Sequence, residues 1–379
     1  MAHPDGFIDL RSDTVTHPTP AMRRAMAEAE VGDDQYGEDP TVRRLEEASA
    51  AKLGKEAGCY VASGTMGNLI AILAHCGRGD EVLLGDECHV LWYESGGAAT
   101  LGGLPFNKLR TDRLGRLDPQ EVADLIRVAR PGYQRTGVFC LENTHNRCGG
   151  TVLPPEYMAE IAGVAHDRGV PVHLDGARIF NAAAALGLPA SAVVAAVDSV
   201  QFCFSKALAA PVGSIVVGSR DFIARVRANR KLVGGAMRQA GVIAAAALVG
   251  LEEMVERLPE DHRRARRLAE GLAQLPGVAV DLETVQSNIV IFRPDPVRIS
   301  SEEFIAGMGE GGVRVSNYGL RGLRMVTHYQ ITDADIERAL QSAAGLLERV
   351  VGRRSSVVSG KDGASETAVP AYHRAASDD

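Results

Sequence analysis

The run Ser199-Val-Gln-Phe-Cys-Phe-Ser-Lys206 is an apolar strand that ends on a lysine, and Pro211 and Gly213 follow before a second apolar strand, Ser214 to Val217. An ammonium delivered by the end of a hydrophobic strand is costly to desolvate. Such a site favours a neutral amine, which can condense with an aldehyde. Upstream, Val170-Pro-Val-His-Leu174 delivers Asp175 from another strand end. A lysine for a Schiff base and a carboxylate for a ring nitrogen are what a pyridoxal phosphate site requires.

Other residues could complete such a site. Ser63-Gly64-Thr65 lies between a strand and an amphipathic helix, where backbone amides, two hydroxyls and a glycine make a phosphate cup. Alone the tripeptide reads rather as an ordinary strand-to-helix turn capped by Ser63 or Thr65. Placed ahead of Asp175 and Lys206, it reads as phosphate binding. His89 could stack on a cofactor ring or act as a base, although a lone histidine is more often structural. Tyr93 follows one helical turn later. His145, in Glu142-Asn-Thr-His-Asn-Arg-Cys-Gly-Gly150, sits after a strand, where open α/β sheets bind ligands. Arg178 and Arg324 can clamp a carboxylate bidentately, which lysine cannot; on spacing alone Arg324 is an ordinary edge-strand arginine. Lys231 and Arg238 fall on a glycine-bearing loop, as surface charges or as phosphate ligands.

The elements that must position these groups are legible in outline. Gly58 to Ala62, Glu81 to Leu84, Val138 to Glu142, Val170 to Leu174, Val200 to Phe204 and Ile215 to Val217 read as short strands. Several are separated by helical patterns, such as Met66, Leu69, Ile70 and Leu73. The alternation predicts an α/β fold with a mostly parallel sheet, and the short link before Ile215 predicts an antiparallel edge. Thr19-Pro20 and Asp39-Pro40 each cap a helix, and Ser300-Ser-Glu-Glu303 is a capping box. Ala240 to Leu251 is a helix apolar on every side. Residues 1–20 read as an N-terminal arm, 21–255 as a large domain and 256–350 as a smaller α+β domain. The Ser-, Ala- and charge-rich residues 351–379, aperiodic from Arg353, read as a disordered tail.

Composition excludes several classes. A formal charge of −7 argues against a nucleic-acid partner. No apolar run is long enough to span a bilayer, and Met1 to Phe7 lacks a signal-peptide core, so a cytoplasmic location is expected. The six cysteines have no CxxC spacing, and His145-Asn-Arg-Cys148 has no second pair, so no metal is expected. Neither GxGxxG after a strand nor a Walker loop is in place for a nucleotide enzyme.

Eight ordered blocks resemble the L-threonine aldolases, which are fold type I, aspartate aminotransferase-like pyridoxal phosphate enzymes. They are Ile8 to Thr16, Val31 to Pro40, Ser63 to Asn68, Glu142 to Asn146, His173 to Asn181, Ser205-Lys206, Gly235 to Gln239 and Val326 to His328. The resemblance implies that Lys206 forms the Schiff base, Asp175 pairs with the ring nitrogen and His89 stacks on the ring. Gly64 and Thr65, beside Ser63, would hold the phosphate. Ser12, Arg178 and Arg324 would grip the substrate carboxylate, and His145 with His89 would bracket its β-hydroxyl. It further implies a homotetramer with sites at a dimer interface, so that Tyr36, Lys231 and Arg238 act from a neighbouring chain. The family usually has glycine where this chain has Ala207 and Ala209, whose methyls could narrow the pocket or shift the backbone. The extension before Ile8 and the tail after Arg353 are also unusual. The implied reaction is retro-aldol cleavage of a β-hydroxy-α-amino acid to glycine and an aldehyde. β-Elimination, racemisation and aldehyde transfer between amino acids are the alternatives within the same cofactor class.

Overall fold

The structure is a computed structural model that describes residues 6–359, with side chains to residue 350. A two-residue strand, β1 (Ile8–Asp9), opens the chain. The main sheet is built from β2 (Ala57–Val61), β3 (Glu81–Gly85), β4 (Phe106–Leu109), β5 (Thr136–Glu142), β6 (Val172–Asp175), β7 (Ser199–Cys203) and β8 (Ser214–Gly218). Their order is β2-β8-β7-β6-β5-β3-β4. All neighbours are parallel except β8, which runs against both β2 and β7. The antiparallel strand is therefore second from the edge, because β2 adds outside it. Strands β3, β5, β6, β7 and β8 are buried along their whole length, as near-continuous apolar runs in a sheet covered on both faces should be. The sequence did not reveal β4, a short edge strand that carries Asn107 and Lys108.

Helices cover the sheet with their starts written in sequence. Thr19 caps α1 (Pro20–Ala27) and Asp39 caps α2 (Pro40–Lys52), each ahead of a first-turn proline. Ser63 caps α3 (Gly64–His75), and α4 (His89–Trp92) is one short turn. Helix α3 lies close on β7 because it has no side chain at two contacts. A Cβ at Gly67 would stand 2.6 Å from Gln201 Cγ, and one at Gly64 2.9 Å from Cys203 Sγ. The apolar helix Gly241–Val249 continues as a π-turn, Gly250–Met254, where Gly250 permits passage over the Leu208 carbonyl.

A second, antiparallel sheet contains β9 (Val278–Val280), β10 (Ile289–Pro294), β12 (Ser316–Asn317) and β13 (Leu323–Val326), in the order β12-β13-β10-β9. Helices Leu258–Ala273, Ser301–Glu310 and Asp333–Ser359 accompany it, with a separate apolar cluster that includes Phe292, Phe304 and Met308. Strand β11 (Val313–Arg314) pairs in parallel with β1, tying the start of the chain to this region. Disorder was expected from Arg353, but the last helix runs to Ser359; residues 360–379 of the expected tail lie outside the described residues. Among the described residues, no helix is long and apolar enough to cross a membrane.

Candidate active site

The C-terminal ends of β3, β5, β6 and β7 meet on one edge of the main sheet, and each contributes. Asp175 is the last residue of β6, beside Glu142 at the end of β5. Its Oδ2 accepts from Asn68 Nδ2 at 3.0 Å and its Oδ1 from the Ala177 amide at 3.1 Å. Lys206 lies in the turn between β7 and β8, half-buried, and its ammonium has no hydrogen bond or ion pair among the described residues. Its charge acts on both Asp13 and His89, which places the amine among them.

His89 starts α4 just beyond β3. Its amide donates to Glu142 Oε2 at 2.6 Å and its Nδ1 meets Glu94 Oε1 at 2.9 Å. Burial draws the imidazole toward the neutral form. The Glu94 hydrogen bond and the charges of Asp175 and Glu142 outweigh that, so its pKa stands above the ordinary value. The Tyr93 ring lies 5.1 Å from the His89 ring, and its hydroxyl accepts from Arg147 Nη1 at 2.8 Å. His145 is buried, and neither ring nitrogen has a hydrogen-bond partner among the described residues. The ring rests on Gly115, whose place a Cβ could take only at 2.8–2.9 Å from it. An imidazole with two orphan nitrogens suits a proton acceptor waiting for a ligand.

Two arginines reach the same edge, in different states. Arg178 donates through Nε and Nη2 to the two carboxylate oxygens of Asp13, each at 2.7 Å. Sequence reading offered this fork to a ligand carboxylate; the structure spends it on Asp13 and leaves Nη1. Burial alone would raise the Asp13 carboxyl, but Arg178 outweighs it and holds the group well below the usual carboxylate range. Arg324 lies on β13, an interior strand of its sheet and not an edge. It donates to Asn146 Oδ1 at 2.9 Å and to the Arg11 carbonyl at 3.2 Å, while its buried Nε has no hydrogen-bond partner among the described residues. Burial lowers its pKa, which marks a cation short of counter-charge. Ser12 Oγ accepts from the Thr14 amide and hydroxyl, so it caps a short turn beside Asp13.

The phosphate cup sits at the start of α3. Ser63 Oγ accepts from the Met66 amide at 3.2 Å, Thr65 is exposed, and the Gly64 and Thr65 amides open the helix without an internal partner. Glycine at 64 serves first to seat the helix against Cys203. Tyr36 and Lys231 line a different cleft of about 520 Å³ with Gln35, Arg43 and Arg230. Nearby, Arg238 pairs with Asp33 at 3.1 Å. No hydrogen bond or ion pair among the described residues joins this group to Lys206, Asp175 or His89. Lys231 belongs to the last turn of helix Arg220–Leu232, not to a loop, because the helix ends only at the Val233 cap, just before Gly234.

Sequence reading missed Asp13, Asn68, Glu94 and His173, all buried. Signals existed: Asn68 lies one turn after Gly64, and His173 two residues before Asp175 on the same strand face. Cys148 does not join His145 and donates to the Asp112 carbonyl. Instead Cys88, Glu142 and His145 have ligand-type atoms within 4.8 Å of one another.

The chain is similar to known proteins over most of its length. Residues 9–294 match the family described as beta-eliminating lyase. Low-specificity L-threonine aldolase 1 of Arabidopsis thaliana is 46% identical over 337 residues, covering 88% of this chain and 94% of that one. Among solved structures, the threonine aldolase of Leishmania major superposes with a TM-score of 0.75 at 16% identity, over 91% of this chain and 99% of that one. The serine palmitoyltransferase of S. paucimobilis with bound PLP–myriocin gives 0.70 at 20% identity, over 91% and 88%.

Proposed function

Because the chain belongs to the beta-eliminating lyase family, and within it stands with the low-specificity threonine aldolases, we propose that it is a pyridoxal phosphate-dependent aldolase. It cleaves L-threonine, L-allo-threonine or related β-hydroxy-α-amino acids to glycine and an aldehyde. The observation that carries this reading is the convergence of Lys206, Asp175, His89 and His145 on one sheet edge. The groups fit the cofactor: a half-buried amine that makes no ion pair among the described residues, a carboxylate fixed by two N–H donors, and free amides at a helix start.

Pyridoxal phosphate, when bound, supplies an electron sink conjugated to the substrate amine. Lys206 would hold the cofactor aldehyde and give it up to the substrate. Asp175 would keep a proton on the ring nitrogen, and His89 would lie against the ring. Ser63, Gly64 and Thr65 would receive the phosphate. Arg324, with Ser12 and the remaining Nη1 of Arg178, would orient the carboxylate so that the Cα–Cβ bond is the one that breaks. His145, assisted by His89, would take the β-hydroxyl proton as the aldehyde leaves, and a proton returned to Cα completes glycine. Tyr93 borders the space beside His89.

The reading carries a division into an arm (1–20), a large domain (21–255) and a small domain (256–350). It also carries a cytoplasmic location and a homotetramer, in which the Tyr36, Lys231 and Arg238 group completes a neighbour's site. That group's separation from Lys206 within one chain supports the last point. The test is incubation of the cofactor-loaded protein with L-threonine and L-allo-threonine. Acetaldehyde and glycine in equal amounts are expected, with turnover lost in Lys206→Ala. Cofactor binding without acetaldehyde from either substrate would overturn the threonine assignment.

A further inference from the structure

A buried chain of polar side chains runs beneath the active site, between α3 and the main sheet. His75 Nε2 meets Ser199 Oγ at 2.7 Å, and Ser199 Oγ meets His173 Nδ1 at 2.9 Å. His173 Nε2 meets Asn68 Oδ1 at 3.1 Å. Asn68 Nδ2 ends the chain, with Asp175 Oδ2 at 3.0 Å and Glu94 Oε1 at 2.8 Å. The topology makes this assembly: His173 and Asp175 share a strand face, and Ser199 is the register partner of His173 on β7. Asn68 and His75 lie two turns apart on one side of α3.

The direction of every bond follows from its carboxylate end. Carboxylates only accept, so Asn68 must turn its amino group to Asp175 and Glu94, with one hydrogen for each. The flipped amide would set Oδ1 against two carboxylate oxygens. With Oδ1 facing His173, the imidazole must carry its hydrogen on Nε2. Burial holds His173 neutral, with a pKa lowered to about 4, so its Nδ1 is a lone pair and Ser199 must donate to it. Ser199 then accepts from His75 Nε2–H. Every hydrogen points toward Asp175 and Glu94. An amide cannot relay a proton as an imidazole can, so the chain orients and does not conduct.

We infer that His173, Ser199 and His75 are positioning residues that hold Asn68 in the one orientation able to donate to Asp175 and Glu94 together. This rests on the reading of Asp175 as the partner of the cofactor's ring nitrogen. Asn68 gives each of two neighbouring buried carboxylates a donor, and the histidine–serine chain fixes Asn68.

The test begins with wild-type, cofactor-loaded enzyme carrying isotope-labelled histidine. Magnetic resonance should find His173 and His75 neutral with hydrogen on Nε2; hydrogen on Nδ1 of His173 would overturn the proposal. His173→Phe should lower kcat about tenfold, one hydrogen bond's worth, with little change in KM. His173→Gln, whose amide can still donate to Asn68, should recover most of that loss. A folded phenylalanine variant with wild-type kcat would sink the idea. Should that variant not accumulate, Ser199→Ala, which removes the hydroxyl donating to His173 Nδ1, should move the His173 Nδ1 resonance while hydrogen stays on Nε2, and an unchanged Nδ1 signal would count against the chain. A wild-type protein without affinity for pyridoxal phosphate would remove the reading beneath the proposal, and the proposal with it.

Discussion

Gly115 and Ala209 show how single backbone positions control the site. Gly115 has φ +83° and lies against the His145 ring, so alanine there is both strained and obstructed. Gly115→Ala should destabilise by about 1–2 kcal/mol from the left-handed conformation. By moving the imidazole it should also cut kcat about a hundredfold, since an ångström's misplacement costs about that much. Turnover with L-threonine checks this; unchanged kcat would mean that the ring position is immaterial. Ala209 has the reverse history, a methyl where the resembling family usually has glycine. It sits at φ +60° and is fully buried, and Ala207 is buried too. Both methyls join the apolar core, so neither narrows the pocket. For Ala209→Gly, relief of about 1–2 kcal/mol opposes about 0.8 kcal/mol of lost methyl burial and about 0.4–1 kcal/mol of extra unfolded-chain entropy. The variant should therefore be neutral within about 1 kcal/mol. Ala246→Gly, in a buried helix with ordinary φ, should lose about 2 kcal/mol. Urea midpoints that ranked the two equally would refute this account.

Among the elements, α2 and the apolar helix Gly241–Val249 are joined by one buried carboxylate. Asp39 Oδ1 accepts from Thr41 and Val42 at 3.1 and 3.0 Å, capping α2. Its Oδ2 accepts from Gly32 at 3.3 Å and Gly241 at 2.8 Å. Asp39→Ala leaves buried amides bare and should cost about 3 kcal/mol; Asp39→Asn keeps the cap but opposes the Gly241 amide, and should cost about half as much. Denaturant unfolding would separate the two, and equal losses would show that the cap alone matters. The cap itself was legible, because Asp before Pro at a helix start is a local signal. Lys206 and Asp175 were legible for a similar reason: an apolar run ending in a charged residue reports both strand and strand end. The second partner of Asp39 was not, since Gly241 is distant in sequence. Nor was the pairing of Arg178 with Asp13, which needs the N-terminal arm folded over the sheet edge. Strand β4 escaped because a half-buried edge strand of four residues carries no clear alternation.

At the scale of the molecule, the layers are sealed partly by histidines that must stay neutral. His173 and His75 lie between α3 and the sheet, and His262 meets Asn181 Nδ2 at 3.1 Å between helices Leu258–Ala273 and Ile179–Leu186. Burial lowers their pKa values from 6.5 to about 4, about 3 and about 4 respectively, and in His75 the neighbouring His173 adds to the effect. An unfolded chain protonates these rings below pH 6.5 while the folded chain does not. Unfolding therefore takes up protons, and stability falls as pH drops from about 6.5 toward 4, by about 2 kcal/mol per ring at pH 5. His89, Glu46 and Asp261, with raised values, act in the opposite direction, so the net slope alone does not identify the rings. The Asp13–Arg178 pair gives way only at much lower pH. His262 isolates the effect, because it lies outside the Asp175 network and glutamine can still accept from Asn181. His262→Gln should leave stability at pH 8 nearly unchanged and make the protein about 2 kcal/mol less sensitive to a shift from pH 8 to pH 5. Parallel urea titrations at the two pH values would measure this. Identical losses in wild type and variant would mean that His262 protonates in the folded state, and that the helix contact around it opens to water.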